Sequence, residues 1–313
     1  MRWLVFVFWC GLTFAQGFPA RPLKLVTPFP PGGSGDVIAR LIAQKLSGNM
    51  GQPVVVDNRA GAGGLTGTDY AAKQPPDGYT LVLITGAYPV QAAMLKQMPF
   101  DPLADVAMVS LLTSYPFVLS VRPDSPFRSL GDLIATAKAN PGKLNFPSSG
   151  IGTVHHLSGE LLNAMAGIEM VHVPFRGGAS PLTEVLGGRM DLLLEAMTLS
   201  IGQIQSRRLR ALAVTSRERW KALPNVPTVA ETVPGYEVKS FVGLGASGGT
   251  PRALVDRLNS EVRKALASPE THQRFVDFGG EPDASSPDEM KDFIAREIAK
   301  WRGVTALRHI EKQ

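Results

Sequence analysis

Cysteine is nearly absent from this chain: the single thiol, Cys10, lies in an apolar N-terminal run. The rest of the chain therefore has no means of forming a disulfide, a thiolate metal site or a cysteine nucleophile. Charge is also sparse, with Asp, Glu, Lys and Arg at 19%, and the basic residues behind the net charge of +5 are scattered. A nucleic-acid surface or a membrane patch needs clustered basic residues, so this distribution excludes nucleic acid as the partner. The Lys of the phosphate-binding motif G-x-x-x-x-G-K-[ST] is missing from the Gly-rich turns, which excludes a nucleotide P-loop. No low-complexity run interrupts the 313 residues.

Apolar residues are plentiful, at 44%, enough to bury the cores of about two domains. The first of them form "MRWLVFVFWCGLTFAQG", with one early Arg, an apolar stretch and small residues before Gln16. That order reads as a secretory signal over residues 1–15, too short to cross a membrane as a stable helix. No small residue precedes Cys10 as lipid attachment would require, so the expectation is a free, exported, periplasmic protein.

Past the signal, strand-like and helix-like runs alternate. "LKLVTPF" is apolar and short, while "DVIARLIAQKL" places Val37, Ile38, Leu41, Ile42 and Leu46 on one helical stripe. "PVVVDN", "LTGTDYAAK" and "YTLVLIT" continue the rhythm, and it resumes from "SLGDLIATAKAN" to "LRALAVTS". Such alternation predicts an α/β fold in which mostly parallel sheets are flanked by helices. Two extended runs, 116–123 and 238–247, bracket the second unit, and amphipathic helices at about 251–267 and 287–301 follow. The predicted layout is two-lobed: residues 20–119 plus 243–313 in one lobe, 120–242 in the other, and the extended runs as hinge crossings.

Two Gly-rich turns stand between a strand and a helix. "PFPPGGSGD" offers Gly32, Gly33 and Gly35 for close backbone approach, Ser34 as a cap and Asp36 against the helix dipole. "NFPSSGIGTVHHL" offers Ser148, Ser149, Gly150, Gly152 and Thr153 around a second helix start. In open α/β sheets such loops lie where ligands bind, and hydroxyls plus free amides without Lys suit a carboxylate or oxyanion. One turn falls in each predicted lobe.

Three other signals are weaker. "GAGGLTG" has the wrong spacing for a dinucleotide fingerprint and no ribose-binding acid about 20 residues on, so no cofactor is expected. "GASGG" fits G-x-S-x-G around Ser247, which makes an exported serine hydrolase the alternative function, but the helix begins three residues too late for a nucleophile elbow. His155 and His156 diverge by about 100° on a helix and cannot share a metal ion as an i,i+4 pair can. One is expected packed and one exposed, and no metal site is expected.

The segments "LVTPFPPGGSGDVIARLIAQKL", "GQPVVVDNRAGAGG", "PPDGYTLVL", "NPGKLNFPSSGIGT", "VPFRGG", "LPNVPTVAE" and "GTPRALVDRLN" follow one another across nearly the whole chain. In this order they resemble the extracytoplasmic solute receptors of tripartite tricarboxylate transporters, the Bordetella uptake gene family. The resemblance implies a periplasmic binding protein, monomeric and not an enzyme. It would close on a small organic carboxylate and deliver it to membrane permease subunits. Carried onto this sequence, the family's first loop falls on Phe29, Pro30, Pro31, Gly32, Gly33, Ser34 and Asp36. Its carboxylate cradle falls on Ser148, Ser149, Gly150, Ile151, Gly152 and Thr153. Thr85, Gly86 and Ala87 fall at the cleft, as do Phe175, Arg176, Gly177 and Gly178; a long side chain such as Arg176 can also lie along the lobe surface.

The chain departs from the family after "MDLLL", where Glu195, Met197 and Leu199 replace an Asp-Asn pair and small residues. Near the first cleft loop, Tyr88 and Val90 replace polar residues. If these side chains line the pocket, an aromatic or longer-chain carboxylate fits better than citrate; the other reading is that Tyr88 and Met197 pack the lobes.

Overall fold

The computed structural model describes residues 17–31, 34–175, 180–277 and 279–313. The signal-like segment, Gly32, Gly33, Arg176, Gly177 and Gly178 lie outside them, as does the Ser34 side chain.

The first half of the chain runs β1 (Leu23–Thr27), α1 (Ser34–Met50), β2 (Val54–Asn58), α2 (Leu65–Ala72), β3 (Thr80–Thr85), α3 (Ala87–Met94), β4 (Val106–Val121), α4 (Leu130–Ala139), β5 (Asn145–Ser148) and α5 (Val154–Ala166). The second half runs β6 (Val171–Pro174), α6 (Ser180–Leu186), β7 (Leu193–Ala196), α7 (Met197–Gln205), β8 (Arg210–Val214), β9 (Lys239–Ser247), α8 (Arg252–Leu266), α9 (Pro269–Asp277), β10 (Glu281–Pro282) and α10 (Pro287–Leu307).

The main sheet has the order β10-β4-β9-β3-β1-β2. Its β2, β1 and β3 pair in parallel, as helix-linked strands must. β9 and β4 run antiparallel within the same sheet, because they carry the chain between lobes rather than through a helical crossover. β4 is the central structural member. Over Val106–Pro116 it pairs with β9; from Phe117 onward it pairs instead with β7 and β8. A 16-residue strand reaches about 50 Å, enough to serve both sheets. The molecule is thus a two-lobed α/β protein crossed by two extended strands, with mixed sheets and a separate parallel pair, β5 and β6.

Strand alternation splits the first lobe's core in two. Leu23, Leu25, Leu81 and Leu83 face α1 and α8, while Val26, Val82 and Ile84 point the other way, toward Met290, Ile294 and Ile298 of α10. The second lobe's core gathers Phe117, Leu119, Phe146, Leu157 and Tyr236, and it also takes in Trp301 and Val304 from the far end of α10. α3 contributes to both lobes' cores in the same way, through Tyr88 and Ala92 on one side and Val90, Ala93 and Met94 on the other, and so both α3 and α10 span the lobes. The start of α10 is a capping box, Ser286 with Glu289, with Pro287 in the first turn.

Candidate functional site

Polar contacts tie together the described residues on either side of the first loop. Asp36 is buried at the start of α1 and accepts from Asn58 Nδ2 at 2.8 Å and from Arg40 Nε at 2.9 Å. Asn58, at the end of β2, also donates to the Phe29 carbonyl at 3.1 Å. The Phe29 ring lies on Gly35 so closely that a Cβ there would sit 2.6 Å from the ring, which explains the glycine. Pro30 and Pro31 are exposed.

In the second lobe, β5 ends at Ser148 and α5 begins after Thr153, whose hydroxyl accepts from the His156 amide. The turn between them is tied internally. Ser148 Oγ meets His172 Nε2 at 2.6 Å, and the Thr153 hydroxyl donates to the Gly150 carbonyl at 2.8 Å. The Gly150 amide donates to Ser148 Oγ, and the Gly152 amide to His156 Nδ1 at 3.2 Å. Gly152 holds φ at 71°, a left-handed conformation that other residues rarely adopt. The Ser149, Ile151 and Thr153 amides have no protein acceptor among the described residues, and Ile151 is half exposed. Phe175 joins this turn through its amide, which donates to the Ser148 carbonyl at 2.9 Å.

The turn after β3 faces the same place from the first lobe. At Gly86 the Cβ position is 3.4 Å from Val154 Cγ2 and 3.1 Å from Ser240 Oγ, so Thr85, Gly86 and Ala87 stand against the start of α5 beside β9. Gly152 in turn approaches Met94 of α3, and the Gln313 side-chain amide donates to the Ile151 carbonyl at 3.4 Å. Two surface cavities, of about 380 and 320 Å³, lie away from these loops, one beside Arg21 and Tyr79 and the other between Asn163, Glu169 and Arg308.

Histidines dominate the electrostatics of the cradle, which the sequence reading did not foresee. His156 stacks on His172 with ring centres 3.8 Å apart. Burial lowers His156 to about 4; burial, then the neighbouring His156, lowers His172 to about 3. Both are neutral at neutral pH. His156 is the packed one of the adjacent pair, while His155 is only partly exposed and is held between Ser149 Oγ (3.0 Å from Nδ1) and Glu195 Oε1 (2.7 Å from Nε2). The only signal for this pair was Glu195 as an unusual residue at the end of β7. No group of three or more His, Cys, Asp or Glu that could hold a metal occurs among the described residues.

Of the two readings left open for Tyr88 and Met197, lining a pocket or packing the lobes, the structure supports packing. Tyr88 and Val90 do not line a pocket: both are buried, with the Tyr88 hydroxyl donating to the Pro102 carbonyl and its ring stacked on Phe100. Met197 packs against Val118, Val214 and Trp220. Leu199 is the apolar departure that stays exposed. Ser247 is buried in β9, donates to the Pro75 carbonyl at 2.8 Å and has no histidine bonded to it, which removes the nucleophile of the hydrolase alternative.

Residues 38–309 match the tripartite tricarboxylate transporter family receptor, TctC, and the chain belongs to that family. It is a solute-binding receptor rather than an enzyme. It is 39% identical to protein BugT of Bordetella pertussis over 293 residues, covering 93% of this chain and 90% of BugT. Among solved structures it resembles R. palustris Rpa4515 with adipate, at 37% identity and a TM-score of 0.83, covering 94% of this chain and 99% of the other. It also resembles MatC from Rhodopseudomonas palustris with bound malate, at 29% identity and a TM-score of 0.79, covering 92% and 99%.

Proposed function

We propose that this receptor captures a small organic carboxylate, of the linear dicarboxylate class, between its two lobes. The observation that carries this reading is the turn Ser149–Thr153: its Ser149, Ile151 and Thr153 amides, without a protein acceptor among the described residues, lie at the start of α5 and face the Gly86 turn of the other lobe. Amides at a helix start complement negative charge without a basic side chain. The carboxylates bound by Rpa4515 and MatC support the same class. With Tyr88, Val90 and Met197 packed in the cores, the case for an aromatic ligand loses its main support, and a flexible dicarboxylate fits the polar turns better.

The boundaries proposed are those of the sequence, 20–119 plus 243–313 and 120–242, with motion at 116–123 and 238–247. The first loop, from Phe29 to Asp36, and the segment Phe175–Gly178 complete the proposed walls. Cleavage after residue 15 would release a monomer into the periplasm, where it would hand its ligand to transporter permease subunits. No described helix is long and apolar enough to cross a membrane. The test is calorimetry with adipate, malate and benzoate, alongside mass spectrometry of small molecules released from the purified protein. Saturable binding of adipate or malate without chemical change is expected. A protein that binds none of the three and releases no carboxylic acid would overturn the reading.

A further inference from the structure

We propose that His155 and Glu195 are positioning residues that set the hydrogen-bond direction of Ser149, so that the receptor takes up one proton together with its carboxylate. The inference rests on the carboxylate reading above and deepens it at the same turn.

Three side chains from separate elements form a line. Glu195 Oε1, at the end of β7, lies 2.7 Å from His155 Nε2 and accepts from the Ala196 amide at 2.8 Å. An ionised carboxylate only accepts, so His155 carries its proton on Nε2. In the neutral ring Nδ1 is then bare, and Ser149 Oγ, at 3.0 Å, must donate its proton there. The Ser149 hydroxyl consequently turns only lone pairs toward the cleft, which repel a carboxylate.

A proton from solvent on Nδ1 reverses this. The imidazolium donates to Ser149 Oγ, and the freed hydroxyl hydrogen can point at the ligand. No covalent bond other than N–H forms or breaks, and the charge of the incoming carboxylate balances that of the ring. Linkage then works in both directions: the anion favours the protonated ring, and protonation favours the anion. The ring stands the other way round from that of a hydrolytic triad, where Nε2 serves the serine and Nδ1 the acid, and here it selects a donor rather than making a nucleophile.

Groups on α5, β6, β4 and β7 surround the His155 ring. On α5, His156 accepts the Gly152 amide on Nδ1; on β6, His172 stacks against it; both are held neutral as described above. From β4, Phe117 meets His155 edge-on at 5.1 Å. Tyr115, also on β4, has its hydroxyl pushed up by burial, opposed by a bond to Ser240 and reinforced by the charge of Glu195. From β7, Glu195 supplies the single negative charge bonded to the ring among the described residues. The His155 side chain keeps 20% of its surface in solvent, which admits the proton.

Nitrogen NMR of the histidine rings in the ligand-free protein at pH 7.5 tests the first half. The expected result is the Nε2–H form of His155; the Nδ1–H form would overturn the proposal. Adipate calorimetry in phosphate and in Tris, whose ionisation heats differ, tests the second half. Up to one proton should be taken up per adipate, and the Kd should rise with pH by at most about tenfold per unit. Ser149→Ala and His155→Asn should each flatten that pH dependence, and agreement between the two guards against a folding defect in either. Tight adipate binding with no proton uptake overturns the relay while leaving the carboxylate reading standing. No binding of adipate, malate or benzoate removes that reading, and the uptake with it.

Discussion

Asn58 donates to Asp36 at 2.8 Å, joining the end of β2 to the start of α1 across 22 residues. The same amide reaches the Phe29 carbonyl, so one side chain bonds to residues on both sides of the first Gly-rich loop. Phe29 and Asp36, the two flanks of the Gly-rich run, are thus tied through a partner outside it.

Asp36→Ala should therefore act on stability and binding together. It leaves the half-buried Asn58 amide one acceptor short, which costs about 1 kcal/mol, the low end for an unsatisfied donor. Asp36→Asn keeps an acceptor oxygen and should cost less. Urea unfolding and the adipate-induced thermal shift would be compared for the three proteins. Equality of Asp36→Ala with wild type in both measurements would show that the loop is organised by something else.

Ser247→Ala should separate stability from function. The buried hydroxyl loses its bond to the Pro75 carbonyl, a loss of about 1 kcal/mol in unfolding free energy. Adipate affinity should stay within about twofold, as for substitutions away from a site. Any ester hydrolysis that disappears in this variant would restore the hydrolase alternative.

Stability should fall with acid through the histidine stack. His156 and His172 titrate at about 4 and about 3 in the folded protein, against about 6.5 for a free histidine. Between those values the unfolded chain binds more protons, so folding loses stability as pH drops below about 6.5 and these groups stop contributing a slope below about 3. Above pH 6.5 their effect is constant. Melting temperatures between pH 7.5 and 5 should decline less steeply in His172→Gln than in wild type. Parallel curves would contradict the assignment.

Closure should be visible in scattering. A ligand touching both walls binds the closed arrangement better, so saturating adipate should compact the protein about β4 and β9. The end of α10 travels with the second lobe in this motion, because Trp301 and Val304 sit in its core and Arg308 bonds Glu160 at 2.8 Å and Glu169 at 3.0 Å. An unchanged small-angle profile at saturation removes the hinge.

Much of the architecture is legible from local pattern. The stripe Ile38, Ile42, Leu46 needs no distant partner to mark α1, and the alternation of Leu81, Val82, Leu83 and Ile84 between two cores follows from the two-residue repeat of a strand. The glycines around Asp36 and Ser149 mark turns for the same local reason. Less legible were α3, where Pro89 sits in the first turn, the short α7 and α9, and the first half of β4, whose run from 106 to 115 lacks turn signals of its own.

What the chain order could not convey is which side chains meet. The sequence leaves Tyr88 between lining a pocket and packing a lobe, and its stacking on Phe100 decides for packing; only the fold brings His156 of α5 onto the Gly152 amide. Glu195 and His155 lie 40 residues apart and touch only because β7 pairs with β4 beneath the start of α5. Periodicity and turn chemistry act over a few residues and can be read directly. Hydrogen-bond partners are chosen within about 3 Å, by the packing of elements remote in sequence, and only the folded arrangement selects them.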